Sequence, residues 1–193
     1  MITRIGAIGA CLLAAGCGGG QLNEAEAEVV FNAVNDVTTE VYGSTGMEMA
    51  YRSPSDWTFE TTPNGYNFSA TLNDGVLWTG TILLDGSLMY DPTDYNNVSY
   101  TYGMEFQDVY VARHDVTMNG FVDMSIEYAQ TGPTEYTMLY SMSSEMDVTG
   151  AANGYAEMSY TVTIVVSDAG YSYTAEGTVN GHDVSGWSMS GMY

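Results

Sequence analysis

Positive charge is what this sequence lacks. It has no lysine, and three arginines (Arg4, Arg52 and Arg113) face 24 acidic residues, for a formal net charge of −21. Nucleic-acid binding by phosphate neutralisation is excluded by that balance. Adhesion to an anionic bilayer through a basic patch is excluded with it. Cysteine is nearly absent too: only Cys11 and Cys17 occur. Past the leader Cys17 stands alone, so no intramolecular disulfide can form and stability must come from packing and hydrogen bonds. No apolar run reaches the roughly 20 residues that a membrane-spanning helix needs. Strong acidity fits solubility, a divalent cation or a basic protein partner, with solubility the preferred reading.

The first residues have the layout of an export signal. Arg4 and the amino terminus form a positive region, and Ile5 to Ala15 is uncharged and mostly apolar. The segment closes on Leu12-Leu13-Ala14-Ala15-Gly16-Cys17. This resembles bacterial lipoprotein precursors, whose lipobox places small residues before an obligatory cysteine. Ala14 stands where the family usually has leucine, and Leu13 lies one step earlier. The resemblance implies diacylglyceryl attachment at Cys17, cleavage before it and acylation of the new amino terminus. Two or more acyl chains anchor stably. Gly18 after the cysteine is permissive, within that family, for transfer to the outer membrane. The expected organisation is a signal peptide over residues 1–16, a lipidated cysteine with a Gly-rich tether over 17–22, and one acidic β-rich domain over 23–193. From Cys17 to Asn23 the chain can reach at most roughly 20 Å.

Asn23 to Tyr42 reads as an amphipathic helix. Asn23 can cap it with Glu26 three residues on, and Glu24, Glu26 and Glu28 suit the positive end of the helix dipole. Val29, Val30, Ala33, Val34, Val37 and Val41 share one face, with Glu24, Glu28, Asn32, Asn35 and Thr39 expected opposite. Gly43 is a natural stop.

From about Met47 onward the pattern is antiparallel sheet. Turn signals recur at Pro63-Asn64-Gly65, Asn73-Asp74-Gly75, Asp85-Gly86, Asn119-Gly120, Gly132-Pro133, Asn153-Gly154, Asp168-Ala169-Gly170 and Asn180-Gly181. Between them apolar and polar residues alternate: Tyr136, Met138, Tyr140, Met142, Met146 and Val148 against Glu135, Thr137, Ser141, Ser143, Glu145 and Asp147. Val122 to Tyr128, Met158 to Val166 and Tyr171 to Val179 repeat the pattern. Glu127, Glu145, Glu157 and Glu176 fall on the polar side and should be exposed. Asp108 breaks the alternation and predicts a bulge. The expectation is a mainly β fold: an antiparallel meander of about ten to twelve strands, curled into a barrel or half-barrel, with one N-terminal helix. Val30, Val34, Val37 and Val41 should pack against its tyrosines and methionines, filling the interior.

Candidate sites are few. Asp91, Asp94 and Asn96 offer oxygen ligands for Ca²⁺, although Asp, Asn and Pro are equally what a turn needs, and no metal is assigned. Met47 and Met49 could bind Cu(I) as thioethers, but their parity is that of the core. His114 lies between Arg113 and Asp115, and His182 in the last hairpin turn. Gly186-Trp187-Ser188-Met189-Ser190 fails to complete a nucleophile elbow, because Ser190 replaces the second glycine. No catalytic residue and no cofactor are assigned. The leading expectation is a membrane-anchored envelope lipoprotein with a non-enzymatic structural or binding role. The alternatives are a half-barrel carrier of lipid or another apolar ligand, a transmembrane barrel, and a hydrolase.

Overall fold

The computed structural model describes residues 20–45, 57–91, 93–168 and 170–187. One helix, α1 (Glu24–Thr45), precedes nine strands: β1 (Trp57–Thr62), β2 (Gly65–Asn73), β3 (Thr79–Asp91), β4 (Asp94–Val111), β5 (Val116–Gln130), β6 (Tyr136–Gly150), β7 (Gly154–Ser167), β8 (Gly170–Val179) and β9 (His182–Asp183). They form a single antiparallel sheet in sequence order, β1 to β9. Among the described residues the first and last strands do not pair, so the sheet is open and closes no barrel.

Nine strands among the described residues are fewer than the turn signals suggest. Two of those signals are strand interiors. Asp85-Gly86 lies inside β3 and Asn119-Gly120 inside β5. Glycine marks close approach there. A Cβ at Gly86 would stand 2.5 Å from the Phe68 ring and 2.4 Å from the Thr101 carbonyl oxygen. Asn119 serves the opposite strand: its Oδ1 accepts the Asp108 N–H at 2.8 Å. That contact holds the expected bulge, where the β4–β5 register shifts between Phe106 and Val109 and Asp108 takes φ 53°.

The helix begins as its capping pattern requires. Asn23 Oδ1 accepts from the Glu26 N–H at 3.1 Å, and Glu26 Oε2 accepts from the Asn23 N–H at 3.0 Å. Val30, Val34, Val37 and Val41 are buried against the sheet. The expected polar side is only partly polar, because Asn35 is 1 % exposed. Ala33 through Thr38 are all buried, so α1 is enclosed around its whole circumference at mid-length. Its partners come from across the sheet. Phe31 packs on Tyr160 and Trp187, Tyr42 on Tyr100 and Tyr102, and Thr38 lies 3.2 Å from the Tyr140 hydroxyl.

The chain enters at one end of the sheet. Leu22 is buried, Gln21 Nε2 donates to the Asn180 carbonyl at 3.1 Å, and His182 Nε2 bonds the Leu22 carbonyl at 3.1 Å. Gln21 and Leu22, the last residues of the segment expected over 17–22, are thus bonded to the fold. This proximal end also carries the turns 74–78, 112–115, 151–153 and 180–181. The other hairpin connections lie at the distal end.

Candidate functional site: the polar face of the sheet

Alternation places Ser, Thr and acidic side chains on the face away from α1, and cross-strand register arranges them in rows. Ser69, Asp85, Gly103, Asp123, Ser143, Ser159 and Thr178 are successive partners from β2 to β8. Ser87, Thr101, Ser125, Ser141 and Thr161 form the next row from β3 to β7. Hydroxyls pair along it: Ser87 Oγ lies 2.8 Å from Thr101 Oγ1, and Ser141 Oγ 3.2 Å from Thr161 Oγ1. The rows floor an open groove of about 750 Å³.

Gly103 gives the groove its shape. Asp85 and Asp123 flank it in register, and a Cβ at Gly103 would sit 3.3 Å from Asp85 Oδ1. The bare backbone lets the Asp85 carboxylate lie over β4 between the two strands that carry the acids. Glu127, Glu145, Glu157 and Glu176 are all exposed on this face, as the alternation requires. Phe121 stands 60 % exposed among them, between Glu105 and Glu145 in register. Near them the Tyr155 hydroxyl is pushed up to about 12. Partial desolvation leads, followed by its hydrogen bond to Glu145 and the charges of Glu145, Glu157 and Asp147. Hydroxyls, carboxylates and exposed rings can hold a polar or cationic partner; the groove lining contains no histidine to serve as a base.

The two histidines are engaged elsewhere. His114 Nε2 lies 2.8 Å from Asp36 Oδ2, and Arg113 reaches the same oxygen at 3.6 Å. Asp36 is 2 % exposed, so the pair links α1 to the β4–β5 turn from inside the fold. A second buried network joins Tyr160 to Asn35, Oη to Oδ1 at 2.8 Å, while Asn35 Nδ2 donates to the Phe31 carbonyl at 2.8 Å. Burial pushes the hydroxyls of Tyr140 and Tyr160 up. Sequence reasoning missed both networks. Their one available signal is the polar run Asn35-Asp36 in a valine-rich helix.

Asp91, Asp94 and Asn96 fall where β3 turns into β4, with Asp91 and Asp94 paired through their backbones. Their side chains lie outside the described residues, as do Cys17, Met47, Met49, Ser188 and Ser190. Among the described residues no three His, Cys, Asp or Glu side chains gather as a metal site. No described helix is long and apolar enough to cross a membrane. The chain matches no protein-family model, no curated protein and no solved structure.

Proposed function

We propose that this chain is a lipid-anchored protein of the bacterial envelope, held in the outer membrane through Cys17. Its folded domain is a non-enzymatic structural or binding module. The observation that carries the reading is the junction of leader and fold. Gln21 and Leu22 are fixed to the proximal end of the sheet, and only Gly18, Gly19 and Gly20 separate Gln21 from the lipobox cysteine. A domain placed so close to its acylation site works against the bilayer and not at a distance from it. The open sheet is read as a half-barrel gripping its helix, with the acidic polar face turned toward a cationic partner. In the test, the full chain is expressed in a Gram-negative host with labelled palmitate. Label should appear in the mature protein and vanish in Cys17→Ser, which should accumulate as uncleaved precursor. Label retained in Cys17→Ser would end the reading.

The carrier alternative draws on a different observation. The apolar face continues past α1 toward the distal end, where Tyr90, Val98, Tyr128, Met138, Ile164 and Tyr173 form a partly exposed row. An acyl chain could lie along that row. Organic extraction of the purified soluble domain should release stoichiometric lipid if the carrier reading holds.

A further inference from the structure

The β2–β3 turn displays apolar residues to solvent on a rigid base. Val76 is 84 % and Leu77 42 % exposed at its tip. The Gly75 N–H bonds the Trp78 carbonyl at 2.9 Å and closes the tip, while Trp78 itself is buried beneath it. From α1, the Glu40 carboxylate accepts the N–H groups of both tip residues, at 2.5 Å from Val76 and 3.0 Å from Leu77. Two backbone donors are thus satisfied from within, and the side chains are left facing outward. A tip fixed in this way loses little conformational freedom when something apolar covers it.

Position says what covers it. The tip lies at the proximal end, the end at which the chain enters through Gly20 and Gln21. Three glycines separate Cys17 from Gln21, and the four chain steps between them reach at most about 14 Å. The neighbouring turn carries Arg113, the one arginine among the described residues, with its side chain 65 % exposed. Tyr110, on β4 just before that turn, is 37 % exposed, an amphipathic ring of the kind that settles at headgroup level. Apolar tip, tyrosine and arginine thus share the end of an otherwise acidic domain that lies nearest its anchor.

We propose that the Val76–Leu77 tip is a second contact with the bilayer, dipping into its interface and setting the sheet upright on the membrane. The proposal rests on the lipid-anchor reading. Two apolar side chains are too little to hold a free protein to a membrane, but a tether at Cys17 raises their effective concentration. The tip therefore governs orientation and not affinity.

The test keeps the two readings apart by making the anchor chemically. A soluble form beginning at Cys17 is coupled through that thiol to maleimide-headgroup lipid in phosphatidylcholine nanodiscs doped with a gadolinium-chelating lipid. Methyl signals of valine and leucine are then followed by NMR. Val76 and Leu77 should lose their signals, while Val165, 42 % exposed at the distal end, keeps its own. Val76→Ser/Leu77→Ser should abolish the contrast, with the protein tumbling on its tether and Val122 or another buried methyl reporting an intact fold. Equal losses at Val76 and Val165 in the parent protein would overturn the proposal. So would retention of the contrast at Arg113 and Tyr110 amides in the double variant, since the tether alone would then orient the sheet. Cellular acylation of Cys17 plays no part in the coupling, so failure of the anchor reading shows only in the palmitate experiment.

Discussion

Tyr160 donates its hydroxyl hydrogen to Asn35 Oδ1 at 2.8 Å, joining strand to helix inside the core. The bond specifies how α1 is turned and how far it has slid, because valines alone would accept several settings. Tyr160→Phe should leave the Asn35 oxygen unpaired and cost about 1–3 kcal/mol. Asn35→Leu in the same background should recover part of that loss. Urea unfolding of both single variants and the double variant measures the coupling, and simple additivity would contradict it.

The same buried hydroxyls predict an alkaline limit to stability. The Tyr140 hydroxyl is pushed up to about 12 by burial, with its hydrogen bonds to Thr38 and Tyr160 working the other way. Tyr160 is raised as well, by burial first. A group whose folded pKa is raised contributes stability that is whole below its unfolded value and lost as pH climbs toward the folded one. The midpoint of urea unfolding should therefore fall between the ordinary tyrosine value of 10.0 and about 12. Tyr140→Phe should flatten that decline.

Asp36 predicts an asymmetry between its two partners. Removing His114 takes away the close, largely buried contact and leaves a carboxylate that is 2 % exposed. His114→Ala should cost about 1.5–3 kcal/mol, the usual range for a hydrogen bond to a charged group. Arg113 touches the same oxygen from a side chain 65 % exposed. Arg113→Ala should cost under about 1 kcal/mol. Equal losses in thermal denaturation would mean that the histidine is not the principal partner.

Glu40 predicts a local effect. Glu40→Ala strips the acceptor from the Val76 and Leu77 amides, which are already near water. Hydrogen exchange at those two amides should accelerate, while global stability falls by no more than about 1.5 kcal/mol. Slow exchange persisting there would show that the tip is held by something else.

Much of the fold can be read from residue order because period and parity are local properties. The capping pair Asn23 and Glu26 marks the start of the helix, and alternation places Glu127, Glu145, Glu157 and Glu176 on the outer face. Asp85-Gly86 and Asn119-Gly120 mislead because the same dipeptide that makes a hairpin also permits close approach inside a strand. The turn at 112–115 carries no glycine and escapes notice; Asp115 takes the positive φ there instead. Asn35 and Asp36 look like solvent-facing residues until their partners Tyr160 and His114 arrive from distant strands. The groove around Gly103 depends on register across three strands, and register is a relation between segments that no single segment encodes. For Cys17 the reading starts from residues 12–17, and the structure adds only that Gln21 and Leu22, just beyond it, are fixed to the sheet.

The contact between Phe31 and Trp187 has a consequence for the order of events in folding. The helix leads and the tryptophan trails, so they meet only once all nine strands between them are available. Every pairing within the sheet joins sequence neighbours, and hairpins can zip up one after another as they emerge, each closing a short loop. The helix cannot complete its docking on that schedule. Its valines stay without their final cover, and Asn35 without Tyr160, until β7 and the strands after it arrive. Maturation is therefore vectorial in its strands and all-or-none in its helix. A chain stalled before β7 would hold a nearly finished sheet beside an apolar helix with nowhere to go, a form that invites proteases and chaperones.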